Sequence, residues 1–197
     1  MDYFPRSRVL VLVGALVILT APAHGAPHPP LFPVQLGNYW ILQSSYGDQK
    51  IIRCEPGTNK LLQVTGLSDR PVEFYGSPKS TQLSRWDTLK RKLRPVVNLL
   101  PRRKGRSMFS ASSHPCDQLG VELDPLAGSI QTPAGEYTGC STLWIITVNP
   151  KIPGLCDLLA ERVFFAPGVG PVMVQGRLDR LYLLVKAQVG DLLIGGQ

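Results

Sequence analysis

After residue 37 the chain alternates between short apolar runs and turn residues at intervals of eight to twelve positions. The first three runs are Tyr39 to Leu42, Lys50 to Arg53 and Lys60 to Thr65. Gly47-Asp48 separates the first two runs, and Glu55 to Asn59, with Pro and Gly at its centre, precedes the third. Short apolar runs are typical of strands, and Gly, Pro, Asn and Asp are typical of tight turns. The pattern therefore predicts short antiparallel strands.

The last third of the chain has the clearest strand patterns. The run Tyr137 to Val148 is apolar at both alternate sets of positions, which predicts a central strand covered on each side. The run Leu181 to Val189 alternates instead, which predicts a strand with one face on the core. The side chains predicted to share that core face are Leu181, Leu183, Val185, Ala187 and Val189. Gly190-Asp191 then predicts a turn before Leu192 to Ile194.

Two segments carry Pro and Gly where specific β-turns require them. Thr132-Pro133-Ala134-Gly135 fits a type I turn, with Pro second and Gly fourth. Ala166-Pro167-Gly168-Val169 fits a type II turn, because its third position needs a positive φ. Pro171 lacks an N–H, which restricts it to a strand start or a sheet edge. The residues assigned structural turn roles are Pro133, Gly135, Pro167, Gly168 and Gly170.

The stretch from Thr88 to Pro101 is ambiguous. Trp86, Leu89 and Leu93 have helical spacing, but Pro95 would break any helix of useful length. We predict an extended or irregular hairpin here, with a short helix as the alternative. The whole chain is thus predicted to be mainly β, a single antiparallel domain built as a curved sheet, a sandwich or a half-barrel.

The N-terminus has the three parts of a secretory signal peptide. Arg6 and Arg8 form the basic part, an apolar core of eleven residues (9–19) follows, and small residues allow cleavage after Gly25. Such a core is too short for a transmembrane helix, which needs ~20 residues, although a retained anchor is the alternative.

The predicted domains are a signal peptide at 1–25, a Pro-rich lead-in at 26–36 and a β domain at 37–197. The lead-in is predicted to be extended and poorly ordered, and the mature chain to be a soluble periplasmic or secreted protein without a transmembrane span.

All four cysteines, Cys54, Cys116, Cys140 and Cys156, lie after the predicted cleavage site. An even number in an exported chain predicts two disulfides, with three connectivities open. We favour Cys140–Cys156, which flank one predicted hairpin and leave Cys54–Cys116 as the second bridge. The cysteine spacings match no zinc signature, and the sequence has no H-E-x-x-H, EF-hand, Walker or G-x-G-x-x-G motif, so neither a metal nor a cofactor is predicted.

Positive charge is concentrated between Arg85 and Arg106. This basic window holds nine Lys and Arg residues and one acid, Asp87, whereas the formal net charge of the whole chain is +7. The residues predicted to bind an anionic partner are Lys90, Arg91, Lys92, Arg94, Arg102, Arg103, Lys104 and Arg106. Such a window suits an anionic envelope surface or another envelope protein, and an extracytoplasmic site argues against nucleic acid. A solvated basic loop that aids solubility is the alternative.

Three phrases of the sequence resemble those of a group of exported bacterial proteins of unassigned function. Those proteins open on a phrase like F-P-L-x-V-G-N-x-W, which resembles residues 32–40 here. They then carry T-P-A-G-T-F followed by Cys, and F-A-P-G-V-G-L-V after a Cys-rich approach, as at residues 132–140 and 155–172. This chain departs from them with Glu136-Tyr137 for Thr-Phe and Pro171 for Leu. The resemblance implies an exported, mostly antiparallel β domain and carries over no site residues.

Candidates for catalysis are few. Glu122 and Asp124 alternate along a possible strand and share one face, as a glycosidase pair would, although solvated carboxylates are the simpler interpretation. His114 lies two residues before Cys116, but an exported cysteine is expected to be bridged rather than to act as a nucleophile. We therefore predict a non-catalytic exported cell-envelope β domain with a binding or structural role. The alternatives are a small secreted hydrolase and a carrier of an apolar ligand.

Overall fold

The structure is a computed structural model and describes residues 29–58, 60–69, 73–87, 91–100, 104–110, 118–148, 161–176 and 179–196. The predicted signal peptide at 1–25 lies outside the described residues. The strands are β1 (Tyr39–Ser44), β2 (Gln49–Pro56), β3 (Leu62–Thr65), β4 (Phe74–Ser77), β5 (Ser80–Asp87), β6 (Lys92–Asn98), β7 (Gly105–Ser110), β8 (Gln118–Pro125), β9 (Ser129–Thr132), β10 (Gly135–Thr138), β11 (Ser141–Val148), β12 (Glu161–Ala166), β13 (Gly170–Gln175), β14 (Leu181–Val189) and β15 (Leu192–Gly195). The prediction of a mainly β, antiparallel fold is confirmed.

One large antiparallel sheet contains every described strand except the β9–β10 hairpin. Its strand order is β6-β5-β4-β3-β2-β1-β14-β13-β12-β11-β8-β7, and β15 pairs with β14 beside this path. The sheet curves until its two end strands, β6 and β7, have Cα atoms within 8 Å of each other. Of the predicted architectures, the curved sheet is therefore the observed one, and it is nearly closed.

The alternating strand directions define two rims of the curved sheet. β1, β3 and β13 end at the first rim, and β2, β4 and β14 begin there. β2 and β12 end at the opposite edge, the second rim. Long apolar side chains fill the space between the rims, and the largest fully buried ones are Trp40, Phe74, Phe165, Leu31, Leu42, Ile52, Leu67, Leu83, Leu99, Leu123, Leu143 and Ile145.

The Pro-rich lead-in is part of the core, which corrects the prediction of poor order for its described part. Leu31, Phe32 and Val34 are all buried. The Phe32 ring lies 5.0 Å from the ring of Trp40 and 5.4 Å from that of Phe165, centroid to centroid. Burying side chains of this size contributes about 1.5–3 kcal/mol each, which offsets the entropy of ordering a short extended segment. The prediction considered only the proline content of the segment and not the burial of its apolar side chains.

The structure also corrects the predicted inward face of β14. Trp40 pairs with Ala187 and Leu42 pairs with Leu184, so the register shifts by one residue between the two pairs. Such a bulge reverses the alternation on one side of the shift. Leu184, predicted to face outward, is therefore fully buried, while Ala187 remains buried as predicted. Leu181, predicted to face the core, is 44% exposed.

The described part of the ambiguous stretch, residues 91–100, contains β6, which pairs with β5 as predicted for a hairpin rather than for the alternative of a short helix. Asp87 pairs with Lys92 and Leu83 pairs with Val97, with a register shift between Leu83 and Ser84. Because of this bulge, both Val96 and Val97 are buried.

The long run predicted as one strand from Tyr137 to Val148 is divided in two. Gly139 has a φ of +65°, which ends β10 before β11 begins. β11 nevertheless lies centrally, between β8 and β12, as predicted. Leu143 and Ile145 are fully buried on its inner face. On its outer face, Trp144 lies under the guanidinium of Arg162.

Candidate functional site

The curved sheet divides the basic window into two sets of cations. Arg85, Arg91, Lys92 and Arg94 lie on the β5–β6 hairpin near the first rim, and we call these four residues the basic hairpin. Lys104 and Arg106 lie at the start of β7, near the second rim. Strand β6 separates the two sets because it crosses the sheet from one rim to the other. Lys90, Arg102 and Arg103 lie outside the described residues.

The basic hairpin places its charges close together on two paired strands. Arg85 lies directly opposite Arg94, and like charges in that arrangement repel each other. Nη1 of Arg94 lies 3.3 Å from Oδ2 of Asp87, which offsets part of this repulsion. Arg91, with a φ of +47°, and Lys92 are both exposed beside the turn. The hairpin therefore has a net positive charge, because it carries four cations and only one carboxylate, that of Asp87.

The second set of cations faces acidic side chains of β8. Nζ of Lys104 lies 3.2 Å from Oδ1 of Asp124, and Arg106 pairs with Glu122 in the β7–β8 register. Glu122 and Asp124 share the outer face, as predicted, because Leu123 between them is fully buried on the inner face. Their neighbours are thus surface cations, an arrangement typical of cross-strand charge pairs.

A groove lies along the line where the two end strands of the sheet meet, and we call it the seam groove. It has a volume of ≈ 350 Å³. Its lining residues are Gln82, Pro95, Val96, Val97, Asn98, Leu100, Lys104, Gly105 and Arg106. The charged side chains of this lining are Lys104 and Arg106, so a ligand in the groove would meet positive charge.

Sequence reasoning missed a buried polar network at the first rim. Both carboxylate oxygens of Glu161 accept hydrogen bonds: Oε2 from the Ser68 hydroxyl, and Oε1 from the backbone N–H of Asp69 at 2.9 Å. The Asp69 carboxylate in turn pairs with the ammonium group of Lys50. Lys50 and Glu161 are both buried, so each needs these partners to compensate for lost hydration.

A sequence signal for this network did exist. Lys50 alternates with Ile52 and Cys54 along β2, and Glu161 alternates with Val163 along β12. Alternation therefore assigns both charged residues to the inner face of the sheet, where a charge must have a partner. The partner segment, Ser68-Asp69, gave no comparable signal because it lies in a loop.

Cys54 and Cys140 are buried free thiols in this structure. Burial raises the pKa of Cys54 from 9.0 to about 12, despite a backbone hydrogen bond from Gln35 that lowers it. Burial also raises the pKa of Cys140, whose Sγ lies 3.5 Å from the carbonyl oxygen of Tyr137. Thiols with raised pKa values are poor nucleophiles. The two predicted disulfides need all four cysteines, and the structure shows no bridge at Cys54 or Cys140, which does not agree with that prediction. Cys116, Cys156 and His114 lie outside the described residues.

The three phrases that suggested a family resemblance are close together in space. Nε1 of Trp40 donates a hydrogen bond of 2.7 Å to the carbonyl oxygen of Val169. Gly168, with the φ of +75° that a type II turn requires, donates its N–H to the carbonyl oxygen of Pro30 at 2.8 Å. The second phrase adjoins the third, since a Cβ atom placed on Gly139 would lie 3.9 Å from Cγ of Pro167, and its Ala134 N–H donates to the carbonyl oxygen of Leu184 at 3.1 Å. These contacts give the residues of the three phrases a role in packing and hydrogen bonding within the fold.

Asn38, the polar residue of the first phrase, is buried and connects three segments. Its Nδ2 donates to the carbonyl oxygen of Pro33 at 2.7 Å, and its Oδ1 accepts from the N–H of Gly190 at 2.8 Å. The carbonyl oxygen of Asn38 accepts from the N–H of Cys54 at 2.9 Å. The side chain therefore ties the lead-in to the β14–β15 turn, which is a structural role.

Within the described part of the chain, no three or more His, Cys, Asp and Glu side chains are grouped so that they could hold a metal ion. The same residues include no helix with the length and apolar character needed to cross a membrane. No protein-family model matches the chain, and a search of curated proteins finds no match. The resemblance to exported bacterial proteins therefore stays a prediction based on the three phrases.

Proposed function

We propose that this chain is a non-catalytic β domain of the cell envelope that binds an anionic surface through its basic hairpin. The observation that carries the proposal is the position of Arg91 and Lys92, which lie exposed beside one turn at the first rim. Exposed cations grouped in this way attract anionic lipid head groups, each contributing about 1 kcal/mol close to such a surface.

The remaining cations of the hairpin add to this attraction in different degrees. The guanidinium of Arg94 forms an ion pair with Asp87. Because the Asp87 side chain is only 11% exposed, its negative charge is largely shielded from solvent. Arg85 lies opposite Arg94 and extends the positive region along β5. A hairpin held in a large sheet presents these charges in a fixed arrangement, which lowers the entropy cost of binding.

The described candidates for catalysis support binding rather than hydrolysis. Glu122 and Asp124 lie on the outer face beside Arg106 and Lys104, where they act as charge partners. The raised pKa values of Cys54 and Cys140 keep both thiols protonated at neutral pH. Export is supported by the N-terminal pattern of a basic segment, an apolar core and small residues, and it would bring the domain to the envelope.

The proposal is tested by binding to vesicles of phosphatidylglycerol and of neutral phosphatidylcholine at low salt. The Arg91→Gln/Lys92→Gln variant removes two exposed charges and is expected to weaken binding to phosphatidylglycerol about 30-fold. The matched control is Lys60→Gln/Lys79→Gln, which removes two exposed charges from the β2–β3 and β4–β5 turns. A third variant, Arg102→Gln/Arg103→Gln/Lys104→Gln, measures the contribution of the second half of the window.

Equal loss of binding in the first variant and its control would contradict the proposal, because total charge rather than the hairpin would then decide affinity. Equal binding of the wild-type protein to both kinds of vesicle would contradict it as well. Binding by the hairpin should also fall as salt rises, since salt screens exposed charges over about 10 Å at 0.1 M.

A further inference from the structure

Two turns at the second rim place leucine side chains in solvent. Leu36 lies in the turn before β1, and Leu192 and Leu193 begin β15, directly after the turn that ends β14. Leu36 and Leu192 are 58% exposed and Leu193 is 53% exposed, and we call these three residues the leucine patch. Exposed leucines that are scattered singly are ordinary, whereas several on one part of a surface indicate a contact site.

The three leucines belong to one surface because hydrogen bonds hold the two turns side by side. The first turn closes where the N–H of Asn38 donates to the carbonyl oxygen of Gln35 at 3.1 Å. The second turn contains Gly190, whose N–H donates to Oδ1 of Asn38 at 2.8 Å. Asn38 is itself buried, so the two turns are fixed to the fold and to each other.

The backbone of both turns directs these side chains away from the core. Gly37 has a φ of +85°, as the third position of a type II turn requires, which leaves Leu36 at the outer corner of that turn. Successive side chains of a strand point to opposite faces, so one of Leu192 and Leu193 would ordinarily be covered. Both are exposed instead. The sequence therefore places apolar side chains where residues at turns are usually polar.

The size of the leucine patch favours a lipid surface over a second protein. A stable protein interface buries about 800 Å² on each partner, which is far more than three half-exposed leucines provide. Insertion into a bilayer has no such threshold, because its strength scales with the apolar area buried. The three side chains have about as many carbon atoms as one myristoyl chain, which gives reversible membrane binding with a constant of about 10⁴ M⁻¹.

The place where the chain enters the domain brings the same rim to a membrane. The carbonyl oxygen of Pro30 accepts a hydrogen bond from the N–H of Gly168, in the turn between β12 and β13, so the lead-in starts at the second rim. The predicted signal peptide ends at Gly25, and five extended residues span at most about 18 Å. A signal peptide that ends there keeps the second rim close to the bilayer during export.

We propose that the leucine patch enters the surface of a phospholipid bilayer and holds the exported domain there weakly and reversibly. The three side chains reach the boundary between head groups and acyl chains, while Asp191, exposed in the second turn, stays in the hydrated head-group layer. Binding by the patch therefore needs no anionic lipid. This inference goes beyond the proposed function, because the basic hairpin lies at the opposite rim and recognises charge.

The test is co-sedimentation of the protein, as recovered after export, with neutral phosphatidylcholine vesicles at millimolar lipid. Leu192→Ser/Leu193→Ser is expected to lower the partition coefficient at least about 10-fold, because it removes two of the inserting side chains. The matched control, Tyr46→Ser/Leu181→Ser, removes two exposed apolar side chains from the first rim and should bind like the wild type. Unchanged near-ultraviolet circular dichroism spectra show that both variants are folded.

The outcomes separate this inference from its rivals. No binding of the wild type to neutral vesicles, or an equal loss in the control, would overturn it. Concentration-dependent self-association in sedimentation velocity, lost in Leu192→Ser/Leu193→Ser, would assign the patch to a second copy and overturn it too. Arg91→Gln/Lys92→Gln should bind neutral vesicles like the wild type, and Leu192→Ser/Leu193→Ser should keep the preference for phosphatidylglycerol, so the two proposals fail independently.

Discussion

Gly170 shows how one residue position depends on a partner far away in the sequence. Its φ of +99° is rare for residues with a side chain, and a Cβ atom there would lie 2.8 Å from Cζ2 of Trp40. The indole of Trp40 must nevertheless stay close, because its Nε1 donates to the carbonyl oxygen of the neighbouring Val169. The turn pattern identified the glycine, but only the fold shows that it makes room for a ring.

We expect Gly170→Ala to lower the free energy of unfolding by roughly 2–5 kcal/mol, since it combines left-handed backbone strain with a clash in the core. The matched control is Gly128→Ala, where φ is +96° but no atom lies within 4 Å of the added Cβ. That variant should lose only about 1–2 kcal/mol. Urea unfolding measures both, and equal losses would show that the indole does not limit this position.

The two described cysteines give a second prediction at the residue scale. In the native protein near pH 8, Cys54 and Cys140 are expected to resist alkylation, because both are buried and their pKa values are raised. In urea without a reductant both should be labelled, as free thiols are. Mass spectrometry of peptides identifies the modified residues.

Labelling of either residue only after reduction would instead show a bridge at that position. If both Cys54 and Cys140 are free, the remaining intramolecular pairing is Cys116–Cys156, and none of the three two-disulfide connectivities that the sequence leaves open would form. The pairing Cys140–Cys156 that we favoured would then be excluded.

Single elements show which structural features the sequence could predict. The turn at Pro167-Gly168 and the hairpin around Pro95 follow from local rules, because the φ of Gly and the missing N–H of Pro act on their immediate neighbours. The bulge in β14 could not be predicted, since it satisfies the register of Trp40 and Leu42 on a strand distant in sequence. The buried lead-in depends in the same way on rings from elsewhere in the chain.

The candidate site was predicted less completely than the fold. Composition identified the basic window, but its division between two rims depends on the direction of β6, which the sequence does not specify. The seam groove could not be predicted at all, because it exists only where the first and last strands of the sheet path meet.

The buried network at the first rim gives a prediction for a single element, the start of β12. Glu161→Leu removes the acceptor for the Ser68 hydroxyl and the Asp69 N–H, and leaves both donors without their partner on Glu161. We expect it to lower the free energy of unfolding by roughly 3–5 kcal/mol. Glu161→Gln keeps an acceptor of nearly the same shape and should lose less than half as much. Equal losses in urea unfolding would mean that side-chain volume, not the hydrogen bonds, explains the effect.

At the scale of the whole molecule, the described strands other than β9 and β10 form one sheet, in which β1 pairs with β14 at the centre and the ends meet at the seam. Phe32 of the lead-in packs on Trp40 of β1 and on Phe165 of β12, so distant parts of the chain stabilise each other. The outer face then displays the basic hairpin at the first rim and the seam groove beside β7.

Residue-resolved hydrogen–deuterium exchange, with and without phosphatidylglycerol vesicles, tests this account most directly. It predicts the slowest exchange in β1 and β14, which are paired on both sides, and a vesicle-dependent decrease in exchange at 85–94. Fast exchange throughout β1 and β14, or a vesicle-dependent decrease confined to the β2–β3 segment around Lys60, would contradict it.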